Sequence, residues 1–258
     1  VMARALTHMQ HIDPHRKYLL RRHLLRWAKE GPAYVPFIGD GDICVGGSKP
    51  GALPHERYPM PGLYNDRFIY GADLDPQRVV IARSRIPHGR IRVANCDVYP
   101  FADLQTGPIA VADFDAWNEP WPAFRSWFEH AEKAEQVVIF FTDAHRLGIM
   151  ADGTHIRPDG SKVTIQSLTE RRAVYYFYLS KHVWPWFEDY IRPYRVVDKS
   201  RYVRGMITYW GAAIRLENGA TMARGKLSNF KGKKAAPFKS KGKKRSPGTA
   251  KPKSSPKK

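Results

Sequence analysis

The sequence predicts an α/β fold, a doubly wound and mostly parallel sheet closed by an antiparallel hairpin and followed by a cationic tail. Three observations carry this. Between residues 34 and 141, short near-continuous apolar runs alternate with helical segments, the pattern of a parallel sheet buried on both faces. The last two apolar runs, 194–203 and 206–216, are separated only by Arg204-Gly205. That is too short for a helical crossover, so they must form a hairpin. From about residue 219 the composition turns to Lys, Gly, Ser, Pro and Ala, which cannot bury enough apolar surface to offset the entropy of ordering it.

The elements follow in order. Asp13 is placed to cap a helix with Pro14 in its first turn, and residues 15–29 read as amphipathic. Leu19, Leu20, Leu24, Trp27 and Ala28 supply the apolar side; Arg16, Lys17, Arg21, Arg22 and Arg26 line the rest, and Gly31-Pro32 ends the helix. Strands are expected at 34–38, 68–72, 90–94, 108–112 and 136–141, with helices at 76–84, 121–134 and, interrupted by Pro185, about 164–191. The organisation is then a basic N-terminal helical segment over 1–32, an α/β domain over 33–218 and a disordered Lys-rich tail over 219–258. No internal repeat is visible.

Composition removes several function classes. Across 258 residues, 43 Lys and Arg face 24 Asp and Glu, a net charge of +19. The segment 224–258 holds 14 of the basic residues and no acidic one, leaving residues 1–223 at a net +5. The body is mildly basic and the tail is a polycation. No run of about 18 apolar residues is present to span a membrane, and the first residues lack the apolar core and small-residue cleavage site of a secretory signal. Cys44 and Cys96 are the only cysteines and form no CxxC pair, which disfavours a disulfide scaffold or a Cys-based zinc site. His8, His11 and His15 come without carboxylates at ligand spacing, so no metal site is expected. A reducing, cytoplasmic setting in association with nucleic acid is the expectation; oligomeric state is not legible.

In a doubly wound sheet, ligands sit at the carboxyl ends of the strands. The first strand runs into Phe37-Ile38-Gly39-Asp40-Gly41-Asp42, where two glycines permit a tight turn and close backbone approach. A dinucleotide fingerprint would need glycine where Cys44 stands, and a P-loop would need lysine where Gly47 stands. The second strand ends in Asp73-Leu74-Asp75-Pro76. Asp75 is read as the cap of the next helix and Asp73 as an acceptor for ribose hydroxyls. The third strand ends at Asp97, an acceptor for an adenine amine. The fourth runs into Asp113-Phe114-Asp115-Ala116-Trp117-Asn118-Glu119-Pro120-Trp121, where two acids, an amide and two indoles crowd one strand end. Asp143 and His145 follow the fifth strand and are read first as capping a turn, with a role at the pocket as the alternative. Tyr175-Tyr176-Phe177-Tyr178 with Trp184 and Trp186 is read first as core, with base or phosphate contact as the alternative suggested by Arg171, Arg172 and Lys181.

Together these features resemble the class I S-adenosylmethionine-dependent methyltransferases over residues 33–216. The resemblance implies a Rossmann-like sheet of seven strands and S-adenosylmethionine as cofactor. Phe37, Gly39, Asp40 and Gly41 would lie at the methionine moiety, Asp73 at the ribose and Asp97 at the adenine. Residues 34–41 are similar to the Pro-Phe-x-Gly-x-Gly loop of adenine-specific DNA methyltransferases, with Val35 in place of a glutamate. Residues 113–118 are similar to the Asp-x-Asp-Pro-Phe-Gly segment of tRNA guanine-N2 dimethyltransferases, with Ala116 for proline and Asn118 for glycine.

The resemblance implies methyl transfer, and the residue chemistry suits an exocyclic amine of a base in DNA or RNA as the acceptor. The lone pair of such an amine is delocalised into the ring, and hydrogen bonds to a carboxylate or amide oxygen localise and aim it. Asp115 is the candidate acceptor, helped by Asp113 or Asn118, with Trp117 or Trp121 stacking on an extruded base. Neither cysteine follows a proline, which disfavours cytosine-C5 chemistry. The tail, with Lys233, Lys234, Lys243, Lys244, Arg245, Lys257 and Lys258, resembles linker-histone arms and would neutralise phosphates. Two rivals stand: the same fold with a protein or small-molecule acceptor, and a non-catalytic nucleic-acid-binding protein on a methyltransferase-like scaffold.

Overall fold

The computed structural model describes residues 14–47, 58–95, 107–116 and 119–217. Residues Val1–Ala223 form one unit of the chain and Arg224–Lys258 another. The second lies outside the described residues, as do Asp13, Asp97, Trp117, Asn118 and every tail lysine named above.

Helix α1 (Pro14–Leu25) leads into strand β1 (Ala33–Val35). A short helix α2 (Asp42–Val45) and a small ladder of β2 (Gly46–Gly47) with β3 (Tyr58–Pro61) follow. Next come β4 (Ile69–Asp73), α3 (Pro76–Arg85), β5 (Gly89–Val93), β6 (Ile109–Phe114), α4 (Trp121–His130) and β7 (Lys133–Asp143). Helix α5 (His145–Ala151) and a hairpin of β8 (Thr154–Ile156) with β9 (Lys162–Thr164) lead to α6 (Leu168–Phe177). A π-helical segment (Tyr178–Val183), α7 (Trp184–Tyr190), β10 (Tyr194–Arg204) and β11 (Ile207–Leu216) complete the body.

The main sheet has seven strands in the order β10-β11-β7-β6-β1-β4-β5. β5, β4, β1, β6 and β7 are mutually parallel. β11 runs antiparallel to both β7 and β10, which gives the expected hairpin and sets β11 inside the sheet. This is a Rossmann-like α/β fold with helices on both faces. One face carries Leu20 and Leu24 of α1 with Val79, Ala82 and Ile86 of or beside α3, packed on Val35, Val111, Val138 and Phe140. The other carries Trp121, Phe124 and Trp127 of α4 and Phe187 of α7, packed on Phe114, Ile139, Phe141 and Trp210. Successive β7 residues divide between the two clusters, as the period of two requires.

Local chemistry accounts for the boundaries. β1 leaves its ladder at Pro36, which has no N–H to donate, although Ile38 N–H still reaches the Ala72 carbonyl at 3.0 Å. Asp75 caps α3 by accepting from Gln77 N–H at 2.9 Å, with Pro76 in the first turn. The long expected helix over 164–191 begins later and is not uniform. Pro185 lacks an N–H and its ring would collide with the carbonyl four residues back, and the backbone widens into the π segment just before it. The β8–β9 hairpin turns at Asp159-Gly160, with Gly160 at φ 90°. The expected span of α1 is shortened to Leu25, and Leu19 is 45% exposed rather than part of the packed side.

No helix among the described residues is long and apolar enough to cross a membrane. Gly211 of β11 lies beneath Leu24 of α1. A Cβ there would stand 2.7 Å from the Ile139 carbonyl oxygen and 2.9 Å from Leu24 Cδ1. Gly211→Ala is expected to lower stability by about 1–3 kcal/mol, read as a lower denaturant midpoint with unchanged slope.

Candidate functional site

The carboxyl ends of β1, β4, β6 and β7 bring most of the described candidate residues to one edge of the sheet. In the observed order β4 lies on one side of β1 and β6 on the other. The loops after β1 and β6 therefore diverge, and the crevice between them is the topological switch point where α/β sheets bind ligands.

On the β1 side, Gly39 and Gly41 adopt φ of 54° and 79°, a conformation glycine takes without penalty. Gly39 N–H donates to Asp73 Oδ2 at 3.1 Å, and Asp75 N–H donates to Asp73 Oδ1 at 2.9 Å. Each Asp73 oxygen so far accepts one backbone bond, which leaves lone pairs for a diol. A Cβ on Gly39 would meet only Arg78 Nη1, at 3.9 Å, so space over the loop is open. Arg85 braces the loop from α3, donating to the Asp40 carbonyl at 2.9 Å and the Gly46 carbonyl at 2.6 Å and pairing with Asp42. Phe37 is half-buried against the aromatic cluster. These residues suit a nucleoside: an acid for ribose hydroxyls beside a glycine turn that admits close approach.

On the β6 side, the two acids divide. Asp113 lies within β6, is fully buried and faces α1. Arg21 grips it bidentately, Nε to Oδ2 at 2.8 Å and Nη2 to Oδ1 at 2.7 Å, and Tyr64 Oη donates to Oδ2 at 2.7 Å. The expectation that Asp113 helps accept a substrate amine is therefore corrected: its oxygens are enclosed and already taken. Arg21, expected on the polar side of its helix, is likewise fully buried. Trp121 is also fully buried, among Phe124, Phe141, Trp186 and Trp210, and has no ring face for an extruded base.

Asp115 lies just past the strand and keeps 18% of its side chain exposed. Lys17 pairs with Oδ2 and Thr142 Oγ1 donates to Oδ1 at 2.5 Å. Burial alone would push the Asp115 carboxyl up. Lys17 and Arg21 outweigh it and, with the hydrogen bonds from Lys17 and Thr142, hold the group at about 2. Asp115 is thus a permanently charged acceptor near neutral pH and not a proton carrier. Lys17, Arg21, Tyr64 and Thr142 were not among the candidate residues. The available signal was the spacing Lys17, Leu20, Arg21, Leu24, an i, i+3, i+4, i+7 stripe that carries two cations.

After β7, Asp143 Oδ1 accepts both the His145 N–H at 2.8 Å and the His145 ring Nδ1–H at 2.7 Å. The turn reading holds, and the side-chain bond adds an ion pair. Burial opposes the imidazolium, but the Asp143 charge and hydrogen bond dominate and raise the His145 pKa above 6.5. Among the described residues no cluster of three or more His, Cys, Asp or Glu could hold a metal.

No family model matches the chain, and no curated protein matches it. Solved structures do. A SAM-dependent methyltransferase of Leishmania major is 13% identical, with 83% of this chain and 77% of that one covered and a TM-score of 0.45. TrmK of M. capricolum, in complex with S-adenosyl-homocysteine, is 10% identical over 78% and 67%, with a TM-score of 0.41. A Streptococcus thermophilus protein described as a hemolysin is 9% identical over 81% and 69%, with a TM-score of 0.48. At these values a functional assignment rests on this chain's own residues.

Arg21→Met leaves the Asp113 charge buried without its partner and is expected to cost about 3–5 kcal/mol. Arg21→Met combined with Asp113→Leu removes both charges and should recover most of that loss. A double-mutant cycle by chemical denaturation reads the coupling; additive losses would mean the pair is not the interaction that holds α1.

Proposed function

We propose that the chain is an S-adenosylmethionine-dependent methyltransferase acting on an exocyclic amine of a base in DNA or RNA. The observation that carries this is the pairing of a glycine turn with Asp73 on one side of the switch-point crevice and an ionised acceptor, Asp115, on the other. Bound there, S-adenosylmethionine would supply an electrophilic methyl group. Asp73 would accept from the ribose hydroxyls and Gly39 and Gly41 would let the ligand approach the backbone, with Phe37 and Asp40 beside them. Asp97, outside the described residues, keeps its proposed place at the adenine.

Asp115 would accept from the amine N–H and so concentrate the nitrogen lone pair away from the base. Its low pKa keeps it an acceptor at every working pH, while Lys17 and Thr142 fix its orientation. Asn118 and Trp117, both outside the described residues, remain the proposed second acceptor and stacking surface. The 14 basic residues of 224–258 would hold the polymer by neutralising phosphates, an affinity that falls steeply with salt.

One observation favours a second reading, a nucleic-acid-binding protein on a methyltransferase-like scaffold: both carboxylates at the β6 end are already ion-paired with α1. Transfer of labelled methyl to duplex DNA, single-stranded DNA and tRNA separates the two. The enzyme reading expects label on one polymer, abolished by Asp115→Ala in a protein whose melting curve still shows a folded state. Label on none of the three, with the wild-type protein folded, would favour the binding reading.

A further inference from the structure

α6 is a ten-residue helix in which no residue is buried. Val174 and Tyr175 pack against the core and account for one side of the helix, but Leu168 is 53% exposed, Tyr176 73% and Phe177 49%. Leu168, Arg172 and Tyr176 fall at i, i+4 and i+8, one exposed stripe. Phe177 lies beside it, with the Lys181 ammonium 4.7 Å from its ring centre.

Tyr176 is braced by its neighbour in the helix. Tyr175 packs edge-on against Tyr176 at 5.4 Å, and the Arg146 guanidinium lies 3.7 Å over the Tyr175 ring. Tyr175 Oη donates to the Gly205 carbonyl at 3.1 Å, tying the helix to the β10–β11 turn. That turn sits at the carboxyl end of the sheet, since Thr208 of β11 pairs with Asp143 of β7. The surface therefore borders the same end of the fold as the candidate site. Its charge is also selective: between 168 and 183 Arg171, Arg172 and Lys181 face a single acid, Glu170.

We propose that this exposed face of α6 is a stacking platform for unpaired nucleotides of a nucleic-acid strand, with Tyr176 and Phe177 taking bases and Arg172 and Lys181 the flanking phosphates. Exposed rings flanked by cations suit a single strand because its bases present free faces, whereas a duplex hides them. The proposal rests on the reading that the substrate is a nucleic acid, and it narrows that substrate to an unpaired segment.

The test is fluorescence anisotropy on the full chain. The probes are a fluorescein-labelled mixed-sequence RNA strand, the DNA strand of the same sequence, and the RNA strand annealed to its complement. Tyr176→Ala with Phe177→Ala should weaken single-strand binding about tenfold or more, leave duplex binding nearly unchanged, and leave the salt slope as in the wild type, because stacking releases no counterions. Both positions are exposed, so the variant should melt with the wild type. Equal binding of the single strands by variant and wild type would overturn the platform, as would equal weakening of single strand and duplex. Stacking without methyl transfer would sink the enzyme reading and leave the platform standing; methyl transfer indifferent to these rings would do the reverse.

Discussion

A guanidinium and a carboxylate, each without solvent contact, join α1 to β6. Arg21 and Asp113 form one rung of a two-rung ladder, and Lys17 and Asp115 form the other. The spacings match. Four helical residues rise about 6 Å, and two strand residues advance about 6.6 Å. The helix runs against the strand, so the earlier helical cation meets the later acid. Either pair taken out of water gains little net stability. What the ladder supplies is register: a one-residue slip of α1 would strand a buried charge, so the helix has one permitted seat over the sheet. Gly211, by lacking a side chain, opens room for that seat, and Leu20 and Leu24 fill the apolar remainder.

The same ladder sets the chemistry of the crevice. Its buried rung is structural and its outer rung reaches the carboxyl edge, where Asp115 is partly exposed beside the β1 loop. A helix outside the repeating strand–helix units thereby fixes the charge of the acceptor that the proposed reaction needs. The opposite wall is built locally, by Arg85 clamping the glycine turn and by Asp73 accepting from it. The two walls belong to loops that leave β1 and β6 in opposite directions, so crevice and topology have one origin.

Much of this was legible in the residues. The apolar runs located the strands to within a few residues, and the two-residue link at 204–205 required the hairpin. Asp75 was readable as a cap because Pro76 follows it. Asp113 was not readable as structural. Its position at a strand end next to Asp115 looked the same as a site acid, and only the partner across the fold, Arg21, distinguishes them. Trp121 misled for a related reason, since an indole near a site and an indole in a core have the same local sequence. Helix α5 was missed because seven residues are too few to show a helical period, and the β8–β9 hairpin because its three-residue strands are mostly polar and its order comes from turn chemistry at Asp159-Gly160.

Direct titration of S-adenosylmethionine into the protein by calorimetry tests the central claim, that the β1–β4 end of the crevice is a nucleoside site organised by Asp73. Saturable binding at one site per chain, at least about tenfold weaker in a folded Asp73→Ala variant, is the predicted result. No heat of binding in the folded wild type, or binding indifferent to Asp73→Ala, would contradict it.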